Sequence, residues 1–274
     1  MSNPKYWQSQ WYATMAAEQP FPGGWYWHDE QYNWFGPFEK EPQAAAALAQ
    51  HEGSERAESD EYERTRSHFE LLYHPLSLAS QKVLIAIYEK NLNFTRTIVD
   101  LDNDTERLEF TKLYAMGTLP LVLLNHGPMI PESTNIIEYL DSLGRGRLVS
   151  EDPDIARKTR YKDRYFDLYL TDSVSVLMNS GPKSSSAILI DRAKSRLTAV
   201  YEFLDFEVRH QTWANGEEFA MSDCAAAPAL LAAQTLWPYD KYPRVCEYVQ
   251  KLRSRPSVER VWEEASQYRK EHAT

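Results

Sequence analysis

The stretch His74–Lys90, HPLSLASQKVLIAIYEK, decides the fold of this chain. A short apolar run, Phe69–Tyr73, comes directly before it, and the residues from 83 onward have helical spacing. This pattern predicts a buried strand, a tight turn and then an α-helix. Two serines, Ser77 and Ser80, lie at the turn, near the free backbone N–H groups and the positive end of the helix dipole. Such an environment suits a bound anion.

A serine hydroxyl at this turn can stabilise a thiolate that belongs to a ligand. By donating a hydrogen bond it favours the charged form and lowers the pKa of the thiol. Lowering that pKa from about 8.5 to about 6.5 requires roughly 2.7 kcal/mol. One charge-assisted hydrogen bond of about 1.5 to 3 kcal/mol, with up to about 1 kcal/mol from the dipole, is sufficient. The alternative is that Ser77 or Ser80 only caps the helix, which the spacing alone favours.

Two further dipeptides predict ligand contacts. Leu119-Pro120 begins a strand-like run, and a cis bond there would turn the backbone of Leu119 toward Ser77, where it could bind a peptide-like ligand by strand addition. Glu132-Ser133 begins a predicted helix, so Ser133 could offer its hydroxyl and backbone N–H to a carboxylate. Glu132 could accept a hydrogen bond from an ammonium group. A plain helix cap is the alternative reading of Ser133.

The chain is predicted to contain three parts and a linker. Residues 1–50 hold five of the eight tryptophans and indicate a ββα extension with two short aromatic strands and a helix at Pro42–Gln50. Residues 51–67 are predicted to be a mostly acidic linker, either solvated and irregular or an exposed helix. The order β-α-β-α-β-(β)-α predicts an α/β domain over residues 68–146, and residues 152–274 predict an all-helical domain. The tryptophans of the extension are Trp7, Trp11, Trp25, Trp27 and Trp34.

Composition excludes several classes of function. The net charge of −10 argues against a general affinity for nucleic acid, because phosphate contacts need clustered Lys and Arg. No apolar run approaches the roughly 20 residues of a membrane span, and the N-terminus lacks the features of a secretory signal, so we expect a cytoplasmic protein that does not bind membranes. Neither the seven histidines nor the two cysteines have metal-ligand spacing, so no metal is expected.

Four motifs together resemble the bacterial glutathione transferase family over about residues 68–270. They are Y-H-P-L-S-x-x-S-Q-K-V-L-I-A, G-x-L-P-L-V, P-E-S-x-x-I-I-E-Y-L and F-x-M-S-D-C-A-A-A-P-A-L. The resemblance implies a thioredoxin-like βαβαββα domain followed by a helical bundle, with glutathione as co-substrate at the domain boundary and usually a homodimer. The ββα extension that precedes them has no counterpart in the family.

The resemblance also implies roles for individual residues. Ser77 matches the catalytic position that meets the glutathione sulfur, and Ser80 lies beside it as a second candidate for that contact. Leu119 matches the residue whose backbone pairs with the cysteinyl part of glutathione, ahead of the cis-proline, Pro120. The pair at 132 and 133 matches the residues that hold the γ-glutamyl end.

Two positions, Thr118 and Ala220, depart from the family pattern, and a third, Asp223, matches it. Thr118 occupies the position of a frequent basic residue, so the glycyl carboxylate of glutathione needs another partner. Asp223 resembles the aspartate of the helix-capping motif, which has a role in folding. Ala220 replaces the usual Ser or Thr of that cap, and Ser222 is a possible substitute.

The sequence therefore predicts a serine-type glutathione transferase, which conjugates the glutathione thiolate to a small electrophile in detoxification. Hydroxyls at 77 and 80 favour this chemistry over mixed disulfides, and dehalogenase, isomerase or etherase variants would use the same thiolate. Tyr165, Tyr169 and Trp213 are candidate contacts of the electrophile; the alternative, which helix aromatics favour, is that they belong to the core. The competing hypothesis is a non-catalytic interaction protein of the same fold, with the extension as a docking module.

Overall fold

The computed structural model describes residues 5–7, 24–28, 34–50, 69–124, 128–143, 146–180 and 186–272, with side chains from Phe38 onward. The chain divides into two compact units, Met1–Arg66 and Ser67–Thr274. Within the described ranges, no helix is long and apolar enough to cross a membrane.

The first unit contains a small antiparallel sheet and a helix. Its strands are β1 (Lys5–Trp7), β2 (Gly24–His28) and β3 (Trp34–Phe38), in the order β1-β2-β3. Helix α1 covers residues 41–50 and buries Ala44 and Leu48. The two predicted strands and the helix are therefore present, whereas β1 was not predicted because three residues are too few for a recognisable alternation. The predicted linker at 51–67 lies outside the described residues.

The second unit begins with a four-stranded sheet whose order is β5-β4-β6-β7. Strand β4 pairs in parallel with β5 and antiparallel with β6, and β6 pairs antiparallel with β7. Helix α2 connects the parallel pair, as a crossover must. The elements are β4 (Phe69–Tyr73), α2 (Leu78–Glu89), β5 (Thr95–Ile98), α3 (Asp104–Leu113), β6 (Leu121–Leu124), β7 (Met129–Pro131) and α4 (Ser133–Asp141).

Helices follow from residue 153 onward. They are α5 (Pro153–Tyr165), a π-helical segment (Phe166–Thr171), α6 (Asp172–Met178), α7 (Ala187–Glu207), a short 3-10 turn (Val208–His210), α8 (Met221–Leu236), α9 (Pro243–Arg253) and α10 (Pro256–Glu271). Proline occupies the first helical position of α5, α9 and α10, where its missing N–H has no intrahelical partner to lose. The predicted fold class, a thioredoxin-like α/β segment followed by a helical bundle, is confirmed.

Asp223 organises the start of the central helix α8. The side chain is fully buried and accepts hydrogen bonds from the backbone N–H of Ala214 at 2.8 Å, the backbone N–H of Ala220 at 2.9 Å and the Tyr248 hydroxyl at 2.7 Å. Burial raises the pKa of Asp223 to about 6, against the lowering effect of these three donors. Ser222 does not act as the substitute cap, because its buried hydroxyl has no hydrogen-bond partner among the described residues.

Candidate active site

The turn between β4 and α2 gives its two serines different roles. Ser77 is the N-cap of α2 and its hydroxyl oxygen accepts a hydrogen bond from the Ser80 N–H at 3.3 Å. The Ser80 side chain is fully buried, and its oxygen accepts from the His74 N–H at 3.3 Å. Nδ1 of His74 accepts from the Leu76 N–H at 3.2 Å and so fixes the other side of the turn. Ser77 is half-buried, so it is the serine that a ligand can reach.

Capping and ligand contact are compatible at Ser77. The capping bond uses a lone pair of the hydroxyl oxygen as acceptor, and a hydroxyl still has its own hydrogen to donate. The cap also fixes the position of the oxygen relative to the first turn of α2. The two readings that the sequence left open therefore describe one arrangement, in which the cap holds the donor in place.

Strand register brings Leu119-Pro120 to the same turn. Leu72 pairs with Leu121 across β4 and β6. Continuing that antiparallel register by two residues places Leu119 opposite His74, just beyond the paired part of the two strands. The Leu119-Pro120 peptide bond is cis, as predicted. The backbone of Leu119 therefore lies at the edge of the sheet where the serine turn begins.

The same reasoning adds Glu132 and Ser133 to this edge. Leu121 pairs with Pro131 across β6 and β7, so the residues after Pro131 lie beside the cis-proline. Glu132 has φ of 70° and ψ of 121°, is exposed, and makes no side-chain capping bond to α4. A positive φ is uncommon for a residue with a Cβ, and such conformations concentrate at binding sites. Ser133, half-buried, is the first residue of α4.

A buried ion cluster that the sequence analysis missed ties these elements together. The ammonium of Lys82 on α2 lies 2.8 Å from a carboxylate oxygen of Asp163 and 2.8 Å from one of Asp167, and it donates to the Thr134 hydroxyl at 2.9 Å. Lys82 is 2% exposed and Asp163 is fully buried. Because Thr134 follows Ser133 directly, the contact fixes the first turn of α4 against the first half of α2.

The cluster places two carboxylates beside a single buried ammonium group. Burial raises the pKa of Asp163, while the ammonium of Lys82 opposes that rise. Two carboxylates share one cation, so the cluster is stable only with its hydrogen bonds in place. One signal could have revealed it: Lys82 lies in an otherwise apolar run, and Asp163 and Asp167 are four residues apart, on one face of a helix.

An apolar cavity of about 380 Å³ opens beside the serine turn. Leu76 and Leu78, on either side of Ser77, belong to its lining. Met178, at the end of α6, and Trp262, on α10, add apolar surface. A cavity of this size and polarity is suited to a small organic molecule.

The three aromatic residues predicted to contact an electrophile do not line this cavity. Tyr165 packs against Tyr169 at 5.0 Å and Phe203 at 4.6 Å between ring centroids. Trp213 packs edge-on against Phe219 at 5.1 Å. Sequence position alone could not show which residues of the helical part line the cavity.

Family models cover both parts of the second unit. The N-terminal domain of glutathione S-transferase matches residues 76–143, and the C-terminal domain of glutathione S-transferase matches residues 165–256. The chain belongs to the glutathione S-transferase family.

The relatives of this chain are distant, but the matches extend over most of their length. It is 25% identical to glutathione S-transferase 2 of Saccharomyces cerevisiae over 198 residues, which are 66% of this chain and 84% of the yeast protein. It is 24% identical to glutathione S-transferase GstB of Escherichia coli K12 over 193 residues, which are 66% of this chain and 91% of GstB. A structure from Methylobacillus flagellatus with GSH bound matches with a TM-score of 0.64, at 20% identity over 70% of this chain and 98% of that one.

The strand register brings the predicted site residues to one edge of the sheet. The Ser77 turn, Leu119-Pro120 and the Glu132-Ser133 step are adjacent by register, and Lys82 holds α2 against α4 behind them. Ser80 belongs to the turn but is enclosed. Among the described residues, no cluster of His, Cys, Asp and Glu is arranged to hold a metal ion.

Proposed function

We propose that the protein is a serine-type glutathione transferase, in which Ser77 stabilises the thiolate of bound glutathione for attack on a small electrophile. The observation that carries this proposal is the position of Ser77, a half-buried residue that caps α2 and lies between two residues of the cavity lining, Leu76 and Leu78. An oxygen held there donates to an anion that also benefits from the helix dipole.

Each remaining residue of the edge has a role in this proposal. The backbone of Leu119 pairs with the cysteinyl part of glutathione as an added strand would. Ser133 donates its hydroxyl and N–H to the γ-glutamyl carboxylate at the start of α4, and Glu132 accepts from the ammonium group. Ser80, with Pro120, maintains the shape of the site and does not touch the sulfur.

The chemical step needs one nucleophile and one leaving group. The thiol releases its proton to solvent, and Ser77 stabilises the resulting thiolate by donating its hydroxyl hydrogen. The sulfur lone pair forms the bond to carbon, and the leaving group departs with the pair of electrons from the broken bond. No oxidant takes part. Dehalogenation and ether cleavage would begin with the same attack.

The test is an ultraviolet titration of the thiolate of enzyme-bound glutathione. Ser77→Ala should raise the apparent thiol pKa by about 1 to 2 units, which corresponds to losing about 1.5 to 3 kcal/mol of hydrogen bond. Ser186→Ala is the matched control, because Ser186 caps α7 with a hydrogen bond of the same 3.3 Å length to the Ile188 N–H. An unchanged titration in the Ser77 variant would remove this residue from the mechanism. Saturating glutathione that leaves the wild-type melting temperature unchanged would favour the non-catalytic interaction protein.

We further propose that the active form is a cytoplasmic homodimer, with residues 68–146 as the glutathione-binding domain, residues 152–274 as the helical domain and residues 1–50 as an accessory extension. Apolar side chains remain exposed on β7 and α5, where Met129 is 40%, Ile155 45% and Tyr161 55% exposed. A second copy would cover such surface. Light scattering after gel filtration tests the assembly, and a monomeric mass would contradict it.

A further inference from the structure

Among the described residues, the side chain of Arg269 lacks the carboxylate partner that the two other arginines of α10 and its N-cap, Arg260 and Arg255, have. Arg260 pairs with Glu264 at 3.1 Å, and Arg255, at the N-terminal cap, forms a bidentate pair with Glu89 at 2.7 Å. Arg269 is exposed, and its side chain makes no hydrogen bond or ion pair with any residue that the structure describes. The N–H donors of its guanidinium are therefore available to a ligand.

Arg269 lies where a ligand of the apolar cavity could contact it. It belongs to the lining of the 380 Å³ cavity, where it is the one charged residue among the lining residues that the structure describes. The rest of the lining is dominated by apolar side chains, such as Leu76, Leu78, Met178 and Trp262. A cavity of this kind binds the apolar body of a ligand non-specifically, and its few polar groups determine orientation.

We infer that the cavity takes an electrophile with an apolar, ring-sized body and an anionic substituent, and that Arg269 binds the anionic group. Leu76 and Leu78 belong to the same lining and flank Ser77, so a molecule in this cavity would lie near the position from which the thiolate would attack. A guanidinium matches a carboxylate or sulfonate with two parallel hydrogen bonds. The inference rests on the proposed transferase function and specifies its substrate class.

Charge supports a local origin for this selectivity. The chain carries a net charge of −10, so its overall field repels small anions and does not steer them. An anionic substrate therefore needs a specific cation close to its binding position. Arg269 provides one at the cavity, and no carboxylate described by the structure neutralises it.

The kinetic test compares a para-carboxylated chlorodinitrobenzene with its methyl ester, which has the same ring and leaving group without the charge. We expect Arg269→Gln in the full chain to lower kcat/KM for the carboxylate about tenfold or more, the size of a lost charge-assisted hydrogen bond, and to leave the ester within twofold. Arg260→Gln removes a paired arginine from the same helix and should change neither rate. Equal losses for both compounds with Arg269→Gln, or no loss for either, would overturn the inference.

A binding experiment separates this inference from the proposed function. Dinitrobenzoate has no leaving group, so calorimetry against glutathione-saturated protein measures occupancy of the cavity whether or not conjugation occurs. We expect about tenfold weaker binding of dinitrobenzoate to Arg269→Gln than to the wild type, with partial recovery in Arg269→Lys. Equal binding by wild type and Arg269→Gln would overturn the inference even in an active transferase. Weaker binding of glutathione itself by Arg269→Gln would also overturn it, because the arginine would then serve the glycyl carboxylate.

Discussion

Replacing Asp223 with alanine tests whether this carboxylate is a folding element. The side chain is fully buried and is the acceptor for the backbone N–H groups of Ala214 and Ala220 and for the Tyr248 hydroxyl. These three donors come from the loop before α8, the start of α8 and α9. Asp223→Ala removes the acceptor that these three donors share.

The cost can be estimated donor by donor. Ala214 is fully buried and Tyr248 is 2% exposed, so each of these two donors loses its partner without access to water, at about 1 to 3 kcal/mol. Ala220 is half-buried, and water can replace most of its lost bond. Two donors at a central value of about 2 kcal/mol give a loss of about 4 kcal/mol in the free energy of unfolding. Tyr248→Phe removes one bond and should cost about 1 to 2 kcal/mol.

Urea denaturation followed by circular dichroism measures these differences. Ser222→Ala is the matched control, because Ser222 is the neighbouring residue, is equally buried and has a hydroxyl without a partner among the described residues. It should change the stability by less than about 1 kcal/mol. Glutathione affinity, measured well below the transition, should be the same in all these variants. Equal stability of Asp223→Ala and Ser222→Ala would refute the assignment of Asp223 as the organiser of α8.

Three further predictions follow from the packing of the chain. Lys82→Met should lower the free energy of unfolding by about 3 to 5 kcal/mol, because two carboxylates lose their cation. The control Lys112→Met breaks an exposed ion pair and should cost less than about 1 kcal/mol. Equal losses in the two variants would contradict the role of the cluster. Burial raises the pKa of Asp223 from 3.8 to about 6, so the folded chain binds that proton more tightly than the unfolded chain does. The resulting stability is present below about pH 4 and is lost as the pH rises to about 6; Asp223→Asn should remove this slope from urea unfolding measured across that range, and an identical slope would contradict the assignment. Finally, residues Ser67–Thr274, a compact unit in themselves, should remain folded and bind glutathione by calorimetry without Met1–Arg66, whereas aggregation of the shortened chain would show that the extension completes the fold.

Local signals in the sequence were enough to predict the sheet segment and the motifs at the ends of its strands. The Ser77 turn, the Leu119-Pro120 step and the start of α4 at Ser133 each have a short motif with its own physical cause: a helix cap, an X-Pro bond or a helix N-terminus. The strand register of the structure places these motifs together.

Other features depend on contacts between distant parts of the chain. Ser77 and Ser80 have the same residue type at the same turn, and only packing shows that Ser80 is enclosed while Ser77 is half-exposed. The cavity lining joins Leu76 to Trp262 and Arg269, residues nearly 200 positions apart in the sequence. No periodicity within a single helix contains that information, so the sequence could not show which residues line the cavity.

The ion pairs between α2 and the later helices have a consequence for how the second unit unfolds. Lys82 depends on Asp163 and Asp167, and Glu89, at the other end of α2, is held by Arg255 through two hydrogen bonds. If the helical part melted first, α2 would lose these ion pairs, and its apolar side chains, which share one core with those of α8, would be exposed to water. An intermediate with only the sheet segment folded is therefore too costly to accumulate. Residues 67–274 should unfold in a single cooperative transition, although their sequence contains two family domains.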